Sequence, residues 1–211
     1  MSIRTLRQPG SRFSGSYSYE MANDSGHSID PLGSALEDVV AVLVQAGIDY
    51  VLIGGLATGY RARPRYTKDI DLILDVPQVA LPSLLDDLHA RDFEFDTREV
   101  VEEFTRHHMA VLWRDGVRLD WLKPVLPAYR HVMERAAIEP GPNGTIRVAT
   151  AEGLILLKLL AFRLQDQADI EALVAVNRDS LDLEWIKTEW QTIFDMHDPR
   201  MEWLLGLVAA R

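Results

Sequence analysis

The sequence predicts an α+β protein, a mixed sheet with flanking helices followed by a helical C-terminal part. Three observations carry this. Short apolar, partly β-branched runs alternate with amphipathic helical segments as far as Val148. One of those runs, Asp69-Ile-Asp-Leu-Ile-Leu-Asp75, carries acids at alternate positions, which strand geometry turns to one face. From Thr150 onward the pattern is helical throughout.

Three regions follow: a tail over residues 1–33, a core over 34–149 and a helical region over 150–211. Residues 1–33 are rich in Ser, Gly and Arg, lack periodicity and read as disordered. Residues 1–19 hold Arg but no acid, as a transit peptide would, and Met21 is an equally good initiator.

Ser34 to Ala46 is an amphipathic helix with Leu36, Val39, Val40, Leu43 and Val44 on one face, ended by Gly47. Tyr50 to Ile53 has strand length. Gly54-Gly55 follows, then a helix-compatible piece, Leu56 to Tyr60, and a basic loop containing Pro64. After Asp75, Pro77 marks a turn, and Val79 to Ala90 is a helix with Leu81, Leu84, Leu85 and Leu88 apolar. Residues 91–106 are mixed and charged and receive no firm assignment. His107 to Trp113 and Val117 to Leu122 flank Asp115-Gly116, a hairpin signal. Tyr129 to Ala136 is helical, and Pro140 to Gly144 joins two short runs, Ala137–Glu139 and Thr145–Val148. Thr150 N-caps a helix from Ala151 to Leu164, and Asp166 one from Gln167 to Asn177. Leu183 to Phe194 and Arg200 to Ala210 complete the chain, with Trp185, Trp190 and Trp203 as core residues.

With 211 residues, 47% of them hydrophobic, the chain buries one sizeable core. It has no cysteine, which excludes disulfides and thiolate chemistry and fits a cytoplasmic setting. No apolar run reaches membrane-spanning length; Gly153 to Phe162 is short and broken by Lys158. A net charge of −10 excludes indiscriminate nucleic-acid binding. Arg61, Arg63, Arg65 and Lys68 nevertheless form a basic island that suits a limited anionic substrate.

The chemistry lies between Gly54 and Asp120. Asp69 and Asp71 project together and repel each other, an arrangement that a cation relieves. Mg²⁺ is typically held by one or two carboxylates plus substrate phosphates. Glycines at a helix start expose backbone N–H groups that attract phosphate. Asp120 sits among apolar residues in a second strand, where a lone carboxylate is expensive; beside the first strand it completes a cluster of three acids. Phosphate cradle and carboxylates together imply chemistry on a nucleoside triphosphate. His107-His108 invites a zinc site, but neighbouring residues of a strand face opposite sides, which rejects it.

These motifs resemble the nucleotidyltransferase superfamily that shares the polymerase-β palm: strand, Gly-Gly turn, short helix, strand with Asp-x-Asp, and a third Asp on a later strand. The match spans residues 36–122. Gly54-Gly-Leu-Ala57 and the stretch from Leu157 to Leu173, with Lys158, Arg163, Asp166 and Asp169, are similar to the AbiEii/AbiGii-type nucleotidyltransferase toxins of toxin–antitoxin pairs. The chain is short for the longer toxins of that type. The resemblance implies a palm-like sheet, with Lys158 contacting the triphosphate and Asp166 and Asp169 forming the far wall of the cleft. Leu56 stands where Ser or Thr is common, leaving Thr58 to supply the hydroxyl.

The implied mechanism binds two Mg²⁺ ions on Asp69, Asp71 and Asp120. Gly54, Gly55, Arg65, Thr67 and Lys68 hold the NTP phosphates. The resemblance favours an RNA acceptor, a tRNA 3′ end, and a cognate antitoxin as partner. A small hydroxylated molecule such as an aminoglycoside, a protein hydroxyl, and a degenerate palm that only binds a partner or acts as an antitoxin stay open.

Overall fold

Asp49–Ile53 (β1) and Asp69–Asp75 (β2) run antiparallel at the middle of a six-stranded sheet, paired from Asp49↔Asp75 to Ile53↔Asp71. The computed structural model describes residues 30–210, so the tail expectation for residues 1–29 lies outside the described residues.

Met109–Arg114 (β3) and Val117–Leu122 (β4) form the expected hairpin, and β4 joins β2 in parallel. On the other side, Ala137–Gly141 (β5) and Gly144–Val148 (β6) form a second hairpin, and β6 meets β1 in parallel at Leu52↔Val148. The order is β3-β4-β2-β1-β6-β5, a mixed sheet. Strand β2 alternates as expected at its start, with Asp69 and Asp71 partly exposed and Ile70 and Leu72 buried.

One face of β2, β3 and β4 is closed by helices. Pro31–Gln45 (α1) buries Leu36, Val39, Val40 and Leu43, and packs with Leu81–His89 (α3). Thr97–Arg106 (α4) lies against β3, and its Phe104 meets Trp121 edge-on at 5.9 Å between centroids. Gly54–Arg61 (α2) leaves β1 directly and touches both Ala151–Ala161 (α6) and Leu164–Asn177 (α7). Pro127–Glu134 (α5), Leu183–Gln191 (α8) and Pro199–Ala209 (α9) are the remaining α-helices among the described residues. Trp190 is fully buried, while Trp185 and Trp203 pack partly buried against the core.

Several boundaries differ from expectation for local reasons. Helix α1 opens at Pro31, where a missing N–H costs nothing, so residues 31–33 are helical and not tail. The unassigned stretch 91–106 contains α4, capped by the Asp96 carboxylate accepting from Glu99 N at 2.9 Å. Thr150 caps α6 as expected. Phe162 turns left-handed at φ 49° and ends α6 at Ala161. Helix α7 therefore begins at Leu164 with Arg163 as its cap. Asp166 is not that cap; it lies inside the first turn, its carboxylate accepting from Arg163 N at 3.1 Å.

Candidate active site

The sheet brings the three sequence-predicted acids together. Asp71 and Asp120 are direct partners across the parallel β2–β4 pair, and Asp69 is opposite Arg118. Partners on neighbouring strands share a face about 4.8 Å apart. Burial, followed by the charges of Asp120 and Asp69, pushes the Asp71 carboxyl up to about 6, although Lys158 and the Gly55 N–H pull it down. Burial and Asp69 also raise Asp120, against the opposing pull of Arg118. The fold thus holds carboxylates in mutual repulsion.

The first glycine of the Gly-Gly turn is required by a close approach, and the second leaves room for another. Gly54 adopts φ +68°, and a Cβ there would stand 1.9 Å from Asp71 Oδ2. A Cβ on Gly55 would stand 2.8 Å from Arg65 Nη2. The first glycine admits Asp71 beneath the start of α2, whose Gly55 N–H bonds it. The second lets Arg65 pass inward. Ile53, the residue before α2, offers no side-chain cap, and the Asp71 carboxylate takes the Gly55 N–H at this positive helix end.

A second group of acids sits on the C-terminal helices. Asp169 accepts from Arg65 Nε at 2.8 Å and Nη2 at 3.0 Å, Lys158 Nζ at 2.5 Å and Gln165 at 3.0 Å. Asp166 pairs with Arg163 at 2.7 Å and lies 3.6 Å from Lys158. Burial raises both carboxyls, but these donors outweigh it and hold them below the usual range. Lys158 and both acids are buried. Lys158 reaches the sheet acids through its charge, which lowers Asp71.

The basic island divides. Arg61 turns inward, donating to Ala149 O at 2.9 Å and pairing with Glu139. Arg65 is engaged with Asp169, whereas Arg63 and Lys68 are exposed. The Thr67 hydroxyl accepts from Asp69 N at 3.3 Å, fixing the start of β2. Thr58 corrects the expectation set for it. It is 1% exposed and its hydroxyl donates to Gly54 O at 2.8 Å, so it ties the first turn of α2. His107 ends α4 and His108 turns at φ +63°, so neither stands in the strand assumed for them.

The residue missed from sequence is Arg118. Its Nε lies 2.9 Å from Asp120 Oδ1, yet the two atoms are misaligned, and both remain buried without a hydrogen bond. The Arg-x-Asp spacing on one strand face is the signal that would have found it.

Among the described residues no three acid or imidazole side chains converge into a ready-made metal site. The three aspartates nonetheless fit a divalent cation. They offer hard oxygen donors on adjacent strands, they repel each other, and Asp120 Oδ1 lacks a hydrogen bond. Closing the set requires Asp120 to turn from Arg118.

Comparison with known proteins adds the following. The family model described as nucleotidyl transferase AbiEii toxin, type IV TA system, matches residues 35–206. No curated protein matches the chain significantly. The solution structure of antibiotic-resistance factor ANT(2'')-Ia is similar with TM-score 0.52 at 12% identity, over 75% of this chain and 89% of that one. A crystal structure of an antigenic nucleotidyltransferase-like protein from Paracoccidioides brasiliensis matches with TM-score 0.46 at 15% identity, over 85% and 93%. At 12% identity the likeness to the resistance factor is one of fold. Among the described residues no helix is long and apolar enough to cross a membrane.

Proposed function

We propose, for a chain that belongs to the AbiEii nucleotidyltransferase toxin family and is an enzyme by that membership, that it transfers an NMP from an NTP to the 3′ hydroxyl of an RNA, a tRNA end. The observation that carries this reading is the pairing of Asp71 with Asp120 beside the Gly54-Gly55 turn. The acceptor oxygen bonds the α-phosphorus, the bond from that phosphorus to the bridging α–β oxygen breaks, and pyrophosphate leaves.

Asp69, Asp71 and Asp120 would hold two Mg²⁺ ions, which when bound neutralise phosphate charge and acidify the acceptor hydroxyl. Asp120 takes the hydroxyl proton. The N-terminal N–H groups of α2 orient the phosphates, with Lys68 exposed nearby. Arg65, Lys158, Asp166 and Asp169 act on the nucleotide by fixing the wall formed by α6 and α7 around α2. An antitoxin is the expected partner, and a cytoplasmic setting fits the cysteine-free sequence.

The net charge of −10 favours a second reading, transfer to a small hydroxylated molecule or to a protein. Incubation with labelled NTPs and total RNA, protein or small acceptors separates the readings. RNA is expected to take the label, and Asp71→Ala to lower turnover at least about a hundredfold, as loss of one electrostatic stabiliser does. Near-normal labelling by that variant would exclude the mechanism.

A further inference from the structure

Helix α1 packs on β2 and β4 and helix α4 on β3, and the strand residues Ile70, Leu72, Leu112, Leu119 and Trp121 are buried on one face. On the opposite face, the acid-bearing one, β3 contributes Met109, Val111 and Trp113. Met109 is 43% and Trp113 46% exposed, and Val111 is half-buried. The register runs Trp113–Arg118–Asp69 in one row and Val111–Asp120–Asp71 in the next. Trp113 therefore lies two strands from Asp69, about 10 Å by ordinary strand spacing, within reach of one or two nucleotides.

Two cations, Arg118 and Lys68, stand beside the three acids on this shelf. Arg118 is 40% exposed, and its N–H donates to Lys68 O at 3.3 Å, which brings the exposed Lys68 alongside. Lys68 Nζ is 5.9 Å from the ring of Tyr66, itself 63% exposed. Exposed aromatics interleaved with cations suit stacked bases on a phosphate backbone. Glu94 borders the shelf at the sheet edge. Its backbone accepts from Trp113 N at 3.1 Å and donates to Trp113 O at 2.7 Å. Those bonds occupy the edge at Trp113, so a partner strand cannot add there, and the ring face is what remains to offer.

We propose that this shelf seats the acceptor and that Trp113 stacks on an unpaired terminal base of an RNA. The proposal rests on the RNA-acceptor reading above and adds to it the surface that selects an unpaired end.

Trp113→Ala opens no core cavity, and Trp113→Phe keeps a stacking ring. Transfer by the full chain is measured on a hairpin oligoribonucleotide with a short unpaired 3′ end. Trp113→Ala is expected to raise the KM for this RNA about tenfold or more, with the KM for NTP unchanged and most of the loss restored in Trp113→Phe. An unchanged RNA KM in Trp113→Ala overturns the subsite, as does an equal loss in both variants or an NTP KM that rises in step. In each of those cases labelled RNA in the wild type leaves the acceptor reading standing. Wild-type labelling of a protein or small molecule in place of RNA overturns both.

Discussion

Two groups of aspartates face the same region and are treated in opposite ways. Asp69, Asp71 and Asp120 on the sheet are set against one another, with Asp71 pushed up to about 6. Asp166 and Asp169 on α7 are also buried, yet their carboxyls are held low because Lys158, Arg65 and Arg163 surround them. Burial alone raises a carboxyl in either place. What separates the groups is whether the chain supplies the countercharge. Where it does, the acids hold the wall together. Where it does not, a cation from solution has a reason to bind.

The largest effect expected from this contrast is on stability, at Asp169. Removing its charge leaves Lys158 and Arg65 facing a neutral amide. Breaking a buried pair by deleting one partner costs about 3–5 kcal/mol. Asp169→Asn should lower the denaturation midpoint by a matching amount, read by urea unfolding. A loss no larger than that of a surface pair, about 1 kcal/mol or less, would erase the distinction between the two groups.

At Asp71 the effect should be slightly smaller and opposite in sign. A carboxyl raised from 3.8 to about 6 on folding corresponds to on the order of 3 kcal/mol. The folded state holds this proton more tightly than the unfolded one. The contribution is therefore fully present below pH 4 and lost as pH rises through 6. In a chelator, Asp71→Asn should be more stable than wild type at pH 7 by that order, with the difference closing toward pH 4. Equal stabilities across this range would mean that the sheet acids are not in conflict.

How far the contrast was legible in the sequence follows the same division. Asp69, Asp71 and Asp120 were readable because alternation in a strand and a buried-looking Asp are local signals. The β3–β4 hairpin was readable from Asp115-Gly116. The engagement of Asp169 by Arg65, 104 positions earlier, has no local signature. Gly54 and Gly55 read as a phosphate cradle; that they also admit Asp71 and Arg65 is something only tertiary contact reveals. The Thr58 hydroxyl was misassigned because its bond to Gly54 O depends on α2 starting at Gly54, two residues before the helix-compatible piece at Leu56. Helix α4 was hidden by its charge, though Asp96 and Glu99 at its start carried a capping signal.

Arg118 is where the two treatments meet, and it gives the smallest effect. The chain sets one guanidinium beside the sheet acids, 2.9 Å from Asp120 but misaligned and 40% exposed. A pair of that exposure is worth about 0.2–1 kcal/mol. It therefore offsets only part of the repulsion, and Asp120 remains raised despite it. Arg118→Gln removes a competitor for Asp120 without touching an acid. Calorimetric titration of the full chain with Mg²⁺, without RNA, should show tighter binding by about two- to fivefold, the equivalent of that energy. Weaker binding in Arg118→Gln would mean that the guanidinium holds Asp120 in position for the cation, and the sheet cluster would then resemble its helical counterpart in relying on an internal countercharge.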